Sequence, residues 1–331
     1  MRTLARTALP AAILLLGVTA CLGTAHAQTT IPAAEAGVNP VTKAGAQITA
    51  GSRYFVDSDP INLGVTGNAP QQDEDSATLA AMFGSAAYDA NFGWGPESAA
   101  GIYQASAGTP TYKVTPRQPD WGDPFGSYTM PWDPSWNVTD HVDGWAVVIS
   151  ADGSYAFECW ELKVTNGTPS CQFGAISHPD STSWDIEEGG APTGAGLSRM
   201  AGVITQDDWD NGIDHALVYG TPDNDNQWAY PATRTDGDES GPMHEGQYIW
   251  MDRSGACANP SGLNTAQQRV YKALQDYGAF NVDNAETFGF ATELHATPPG
   301  MSSSGGYESI RNFPWAACLN VGTVTDPDPA R

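Results

Sequence analysis

The sequence predicts an all-β chain: an antiparallel β-sandwich, jelly-roll-like, with one packed helix in its C-terminal half. Three observations predict it. Glycine and proline are frequent, at 36 and 24 of 331 residues, and mark many turns. Short runs of alternating apolar and polar residues recur between those turns. The strongest helical stripe in the chain is confined to "NTAQQRVYKALQDYG". Hydrophobic residues make up 40 % of the chain, enough for a core, and the 11 Trp and 12 Tyr suit strands.

The chain opens as an export leader. Arg2 and Arg6 form a basic stretch, an apolar run follows, and Ala25 and Ala27 offer small residues for cleavage before Gln28. That run is too short to span a bilayer. "VTAC" gives a second reading, a lipoprotein box that leaves a lipid anchor at Cys21. Residues 1–27 are read as a signal peptide and residues 28–52, rich in Ala, Thr and Gly, as a disordered tether. Residues 53–322 are read as a single sandwich domain and residues 323–331 as a frayed tail. The expected location is outside the cell, with a surface lipoprotein as the alternative.

Net charge is −24, and cleavage after Ala27 leaves 12 basic against 38 acidic residues, or −26. Such a chain repels DNA, RNA and anionic membranes. It also suits a strongly anionic polymer poorly. Cys159, Cys171, Cys257 and Cys318 remain after cleavage, and an exported chain can oxidise them. Three pairings exist. Cys159 and Cys171 close a short hairpin-like loop, which leaves Cys257 with Cys318. No CxxC or paired Cys/His spacing occurs, so neither a metal nor a cofactor is expected.

Taken in order, "ATLAAMFG" reads as a short helix from Ser76 to Gly84. "GIYQAS" and "TYKVTP" read as short strands. "GWAVVISADGSYAFECWELKV" is the clearest hairpin, turning at "ADG". On its return strand Glu158 shares a face with Trp160 and Leu162, where desolvation raises a carboxyl pKa. A glycine-rich loop and "QDDWDNG", one helical turn, come next. "GIDHALVYG" is a strand with Ile213, His215, Leu217 and Tyr219 on one face. "PDNDNQ", Pro222 to Gln227, reads as a hairpin loop. "QWAYPATRTDG" and "GQYIWMD" are strands. The helix follows, capped by Asn264 or Thr265, striped by Val270, Leu274 and Tyr277 and ended by Gly278. "AFNVDNA" and "FGFATEL" close the fold as strands.

Candidate chemistry lies in polar residues set among apolar ones. No GxSxG, HExxH, Walker, Rossmann or EF-hand pattern occurs. His215 is either a hydrogen-bonded core histidine or an acid/base group. Glu158 is either a general acid or half of an ion pair, with Arg234 a candidate partner. Arg234 and Asp236 share a face after a proline, near a cleft. Trp121, Trp132 and Trp136 sit in one proline-rich stretch. They are either a stacking platform for sugars or rings that cover a sheet. His244 and Glu245 stand at the start of a strand and read as a solvated turn.

"FECW", "GAGLSRMAGVI", "GIDHAL", "YPATRTDG", "EGQYIWMD" and "YGAFNVDNA" stand in an order that resembles a family of secreted bacterial β-sandwich proteins without settled activity. The resemblance covers about residues 140 to 290. It implies fold and export, and it places the family's polar residues at Glu158, His215, Arg234 and Asp283. One departure is "DHVDGWAVV": relatives carry a histidine entering this strand, whereas His141 is displaced by a few positions.

These readings converge on a secreted carbohydrate-active enzyme cleaving glycosidic bonds of an extracellular polysaccharide. Hydrolysis is favoured over elimination, because a lyase must neutralise a uronate and this chain is poor in Lys and Arg. Glu158 and His215 are the expected catalytic residues. Arg234, Asp236, Trp121, Trp132 and Trp136 are the expected substrate contacts. The alternative is a polysaccharide- or cell-wall-binding protein without catalysis.

Overall fold

The computed structural model describes residues 42–43, 46–47, 54–95, 99–136, 138, 143–222, 224–237 and 241–328. The leader, its Cys21 and His141 lie outside the described residues. So does the 28–52 tether, apart from a Thr42–Lys43 strand paired with Ala46–Gln47.

The fold is β-rich and sandwich-like. An eight-stranded sheet runs, in spatial order, Tyr307–Ser309, Asn91–Gly93, Gly289–Phe290, Leu217–Thr221, Ala279–Asn284, Tyr248–Met251, Leu319–Thr323 and Gln71–Gln72. A five-stranded sheet runs Phe173–Ser177, Ala156–Trp160, Ala146–Ile149, Ala99–Gln104 and Thr292–Glu293. Alternation along the strands builds the layers. Val218, Tyr248, Phe280 and Val282 of the larger sheet meet Ile102, Val147, Ile149 and Ala156 of the smaller in a shared core. Leu217, Tyr219, Ile249 and Ala279 point the other way, into a core shared with the helix Thr265–Asp276. The outer face of the smaller sheet is covered in turn by Phe125, Trp132 and Trp136.

The helix is set by its ends and its stripe. The Asn264 side chain accepts from Gln267 N–H at 2.9 Å, and the Gln267 side chain accepts from Asn264 N–H at 3.0 Å. That reciprocal pair satisfies two of the donors a helix start leaves open. Val270 and Leu274 are fully buried. Gly278 ends the helix at φ +69°, and a Cβ there would strike the Tyr248 ring. The first hairpin forms as the alternation predicts, with Val147 opposite Glu158 and Ile149 opposite Ala156. Disulfides join Cys159 to Cys171 and Cys257 to Cys318.

Several local expectations are corrected. The sheets are mixed rather than purely antiparallel: Leu217–Thr221 pairs parallel with Ala279–Asn284, and Ala99–Gln104 parallel with Ala146–Ile149. Both pairs are joined by long crossovers, which parallel pairing requires. "PDNDNQ" is not a hairpin loop. It contributes the strand Asn224–Trp228, paired parallel with Met243–Glu245. Asn224 fixes it, donating to Asp283 O at 3.0 Å and accepting from Asn281 at 2.7 Å. The strand expected over "QWAYPATRTDG" stops at Trp228, because Pro231 has no N–H to continue a ladder. "FGFATEL" splits: Gly289–Phe290 belongs to the larger sheet and Thr292–Glu293 to the smaller. The tail expected from Thr323 begins with a buried Val324.

Candidate active site

A cleft of about 750 Å³ opens where the smaller sheet ends. One side is aromatic. Trp160 and Phe173 are cross-strand partners, and Trp145 precedes the neighbouring strand. Trp121 joins them from a single turn of 3₁₀ helix, Pro119–Trp121. Backbone bonds from Arg117 to Cys171 O and from Gln118 to Gln172 O dock that segment on the sheet edge. The Trp121 ring is parallel to Trp160 within 4°, with centroids 6.2 Å apart. It is 56 % exposed, which is costly for an indole unless something covers it. Trp160 Nε1 donates to Asp143 Oδ1 at 3.3 Å, so a carboxylate borders the platform.

The other side is acidic. Oxygens of Asp236, Glu245 and Asp283 all lie within 4.8 Å of one another. Three chain segments bring them there. Asp236 sits in the irregular run after Pro231, Glu245 ends a strand, and Asp283 lies near the end of Ala279–Asn284. The strap 193–194 passes beside them, held by Arg234 Nη1, which donates to the carbonyls of Thr193 and Gly194 at 3.2 Å each. A Cβ at 194 would press on Glu245 Oε1 and Asp236 Oδ1, so a larger residue there would displace both carboxyls.

Three negative charges at this spacing repel by roughly 3–4 kcal/mol per pair at an effective dielectric near 20. Two devices relieve this. Arg199 donates to Asp283 at 2.8 Å while its guanidinium carbon lies 3.6 Å above the Trp145 ring. Glu245 is fully buried, and burial together with the Asp236 charge pushes it well above the usual carboxylate range. Its Oε2 accepts from Asp236 N–H at 3.1 Å, whereas its Oε1 has no donor. Glu245 therefore keeps its proton at neutral pH. Burial also raises Asp283, and Arg199 offsets part of that. The same three oxygens are the set among the described residues that could ligate a divalent cation. Ca²⁺ takes about six to eight oxygens, so three carboxylates alone fall short.

The structure sorts the residues predicted from sequence. Trp121, Arg234 and Asp236 line the cleft. Trp132 and Trp136 do not form a stacking platform: they are 0 % and 6 % exposed, packed on Tyr103 under the smaller sheet. Their flanking prolines deliver them to a core, where large rings gain most. Glu158 is also sealed. It projects beside Val147 into the layer between the sheets. There it accepts from Ser177, from Ser198 Oγ at 2.5 Å and from Arg199 N–H at 2.6 Å. Burial raises its pKa, as expected, but it organises the 198–199 turn and does not face the cleft.

His215 precedes its strand and lies outside the cleft. Its Nδ1 is 2.9 Å from Ala216 O and its Nε2 3.2 Å from Asp208 Oδ2. Asp208 in turn accepts from Thr205 N–H and Oγ1 at 2.7 Å, capping the helix Gln206–Asn211.

Glu245, Asp143, Trp145 and Trp160 were not singled out as site residues by sequence. For Glu245 the available signal was its place at the mouth of "MHEGQYIWMD", which reads equally well as a solvated turn. No helix among the described residues is long and apolar enough to cross a membrane. The two disulfides suit an oxidising compartment. No protein-family model, curated protein or solved structure matches the chain.

Proposed function

We propose that the chain is a secreted glycoside hydrolase that cleaves an extracellular polysaccharide in this cleft. One observation carries the reading: a carboxyl cluster that retains a proton opens into a cleft walled by indole rings. Flat rings match the apolar faces of sugars. Glycoside hydrolysis needs one carboxyl that gives a proton and one that stays ionised. Glu245, kept protonated by burial, is the source of the proton that the leaving oxygen takes, and the exposed Asp236 carboxyl beside it relays that proton. Asp283, paired with Arg199, attacks the anomeric carbon. Water then releases the sugar, with Asp236 taking the proton back. Oxygens within 4.8 Å are closer than the roughly 6.5–9.5 Å spacing of inverting enzymes, which supports retention of configuration. Glu158 and His215, each tied to structural partners, have no part in this scheme.

The test is release of reducing ends from soluble β-linked glucosamine, N-acetylglucosamine and glucose oligomers. Asp236→Asn is expected to cut the rate by about 10²–10⁴-fold, the usual worth of a positioned acid, with the melting temperature no lower than wild type, because the change removes repulsion within the cluster. No product from any oligomer over long incubation, with Trp121-dependent retention on insoluble glycan, would instead establish a binding protein. The 56 % exposure of Trp121 favours that second reading if cleavage fails.

A further inference from the structure

We propose that Asp236, Glu245 and Asp283 form a calcium site, and that the bound ion switches the cleft off. The site stands on the geometry of the trio; the switch rests on the hydrolase reading. The donors are all carboxylate oxygens, which suit hard cations such as Ca²⁺. Oxygens bound to Ca²⁺ at about 2.3–2.6 Å stand at most about 5 Å apart. Those of the trio lie within 4.8 Å of one another.

A second observation points to a ligand. Glu245 is fully buried, yet its Oε1 has no donor among the described residues. Oε1 and Asp236 Oδ1 border the same space, which a Cβ at 194 would fill and glycine leaves open. An acceptor turned toward other acceptors is satisfied by a cation. Each carboxylate is meanwhile held from behind. Asn284 Nδ2 donates to Asp236 Oδ1 at 3.0 Å, Arg199 to Asp283 Oδ2 at 2.8 Å, and Asp236 N–H to Glu245 Oε2 at 3.1 Å. Donors behind the ligands fix their orientation. Three carboxylates against the one guanidinium paired with them leave two negative charges, which one divalent cation cancels. Asp236 and Asp283 also line the open cleft, so water completes the coordination that three carboxylates leave short. As the ion enters, the proton on Glu245 leaves to solvent. The ion then holds the oxygens that cleavage uses.

The experiment is calorimetric titration of Ca²⁺ into chelator-treated protein at about 0.15 M KCl, which screens diffuse attraction to an acidic surface. One saturable site is expected, with a Kd of about 10⁻⁴–10⁻³ M, the range of extracellular modules. Glu245→Gln and Asp236→Asn should each weaken it at least about tenfold, because each removes a charged ligand. Glu188→Gln, which neutralises an exposed acid of the rim, should change neither calcium binding nor cleavage. At about 10 mM Ca²⁺, well above that Kd, reducing-end release by wild type should fall at least about fivefold. No saturable site in wild type, equal affinity in Glu245→Gln and Asp236→Asn, or cleavage undiminished at saturating calcium would each overturn the proposal. Titration needs no substrate, so the two readings fail separately. Calcium uptake that both variants lose, in a protein that cleaves nothing, removes the hydrolase reading and leaves the site; cleavage without uptake does the reverse.

Discussion

One imidazole ties two segments of the chain together. Burial alone would depress His215, but the Asp208 carboxylate outweighs it and raises the pKa to about 9. Asp208 is correspondingly held below its ordinary value: burial would raise it, and His215 and Thr205 prevail. The sign follows from linkage. The His215 contribution is complete below about 6.5, the value in an unfolded chain, and is lost as pH rises toward 9. Urea midpoints measured from pH 6 to 9.5 should fall in the wild type and stay flatter in His215→Ala. That variant should also cost on the order of 3 kcal/mol at neutral pH, because it strands a buried carboxylate. A His215→Ala protein as stable as wild type, with the same pH slope, would refute the clamp. Residue-scale legibility was uneven for a physical reason. Arg234 and Asp236 follow a proline that breaks a strand, so their exposure could be read locally. Glu158 and Glu245 are both carboxylates beside apolar residues, and sequence cannot tell which partners tertiary packing will supply. Two serines and a backbone amide satisfy Glu158, whereas Glu245 meets two other acids.

At the scale of elements, the same side chain type does opposite work in one stretch. Trp132→Ala removes a ring that is 0 % exposed and should cost about 3–5 kcal/mol. Trp121→Ala should change stability by less than about 0.5 kcal/mol, as exposed positions do, while weakening glycan retention. Thermal melts of the two variants read the contrast, and similar losses in both would mean that Trp121 is part of the core. Leu274→Ala, on the buried stripe of the helix, should cost about 2–5 kcal/mol. The helix and the first hairpin were legible because local signals fix them: a capping box with a period-3.6 stripe, and alternation around a tight turn. Strand direction was not, because parallel pairing depends on where a crossover lands. The strand Asn224–Trp228 was missed for a related reason. Its polar, turn-like residues are held by amide bonds to Asn281 and Asp283, which lie far along the chain.

Across the whole molecule, two cross-links brace a four-layer arrangement. Cys257–Cys318 spans 61 residues and Cys159–Cys171 spans 12, so loop entropy favours the longer link by roughly 1 kcal/mol. Removing the Cys257–Cys318 pair should lower the melting temperature more than removing the Cys159–Cys171 pair. The layers bring the ends of both sheets to one opening, where indoles on and beside the smaller sheet face Asp283 of the larger sheet and Asp236 of the adjoining loop. That juxtaposition is a property of the assembled sheets, and no single segment announces it. Its most direct test is reducing-end release from the same soluble β-linked oligomers by wild type, Asp236→Asn and His215→Ala, each held below its own melting temperature. The cleft account predicts a loss of at least about a hundredfold in Asp236→Asn and near-wild-type rates in His215→Ala. An active Asp236→Asn beside an inactive, folded His215→Ala would contradict it.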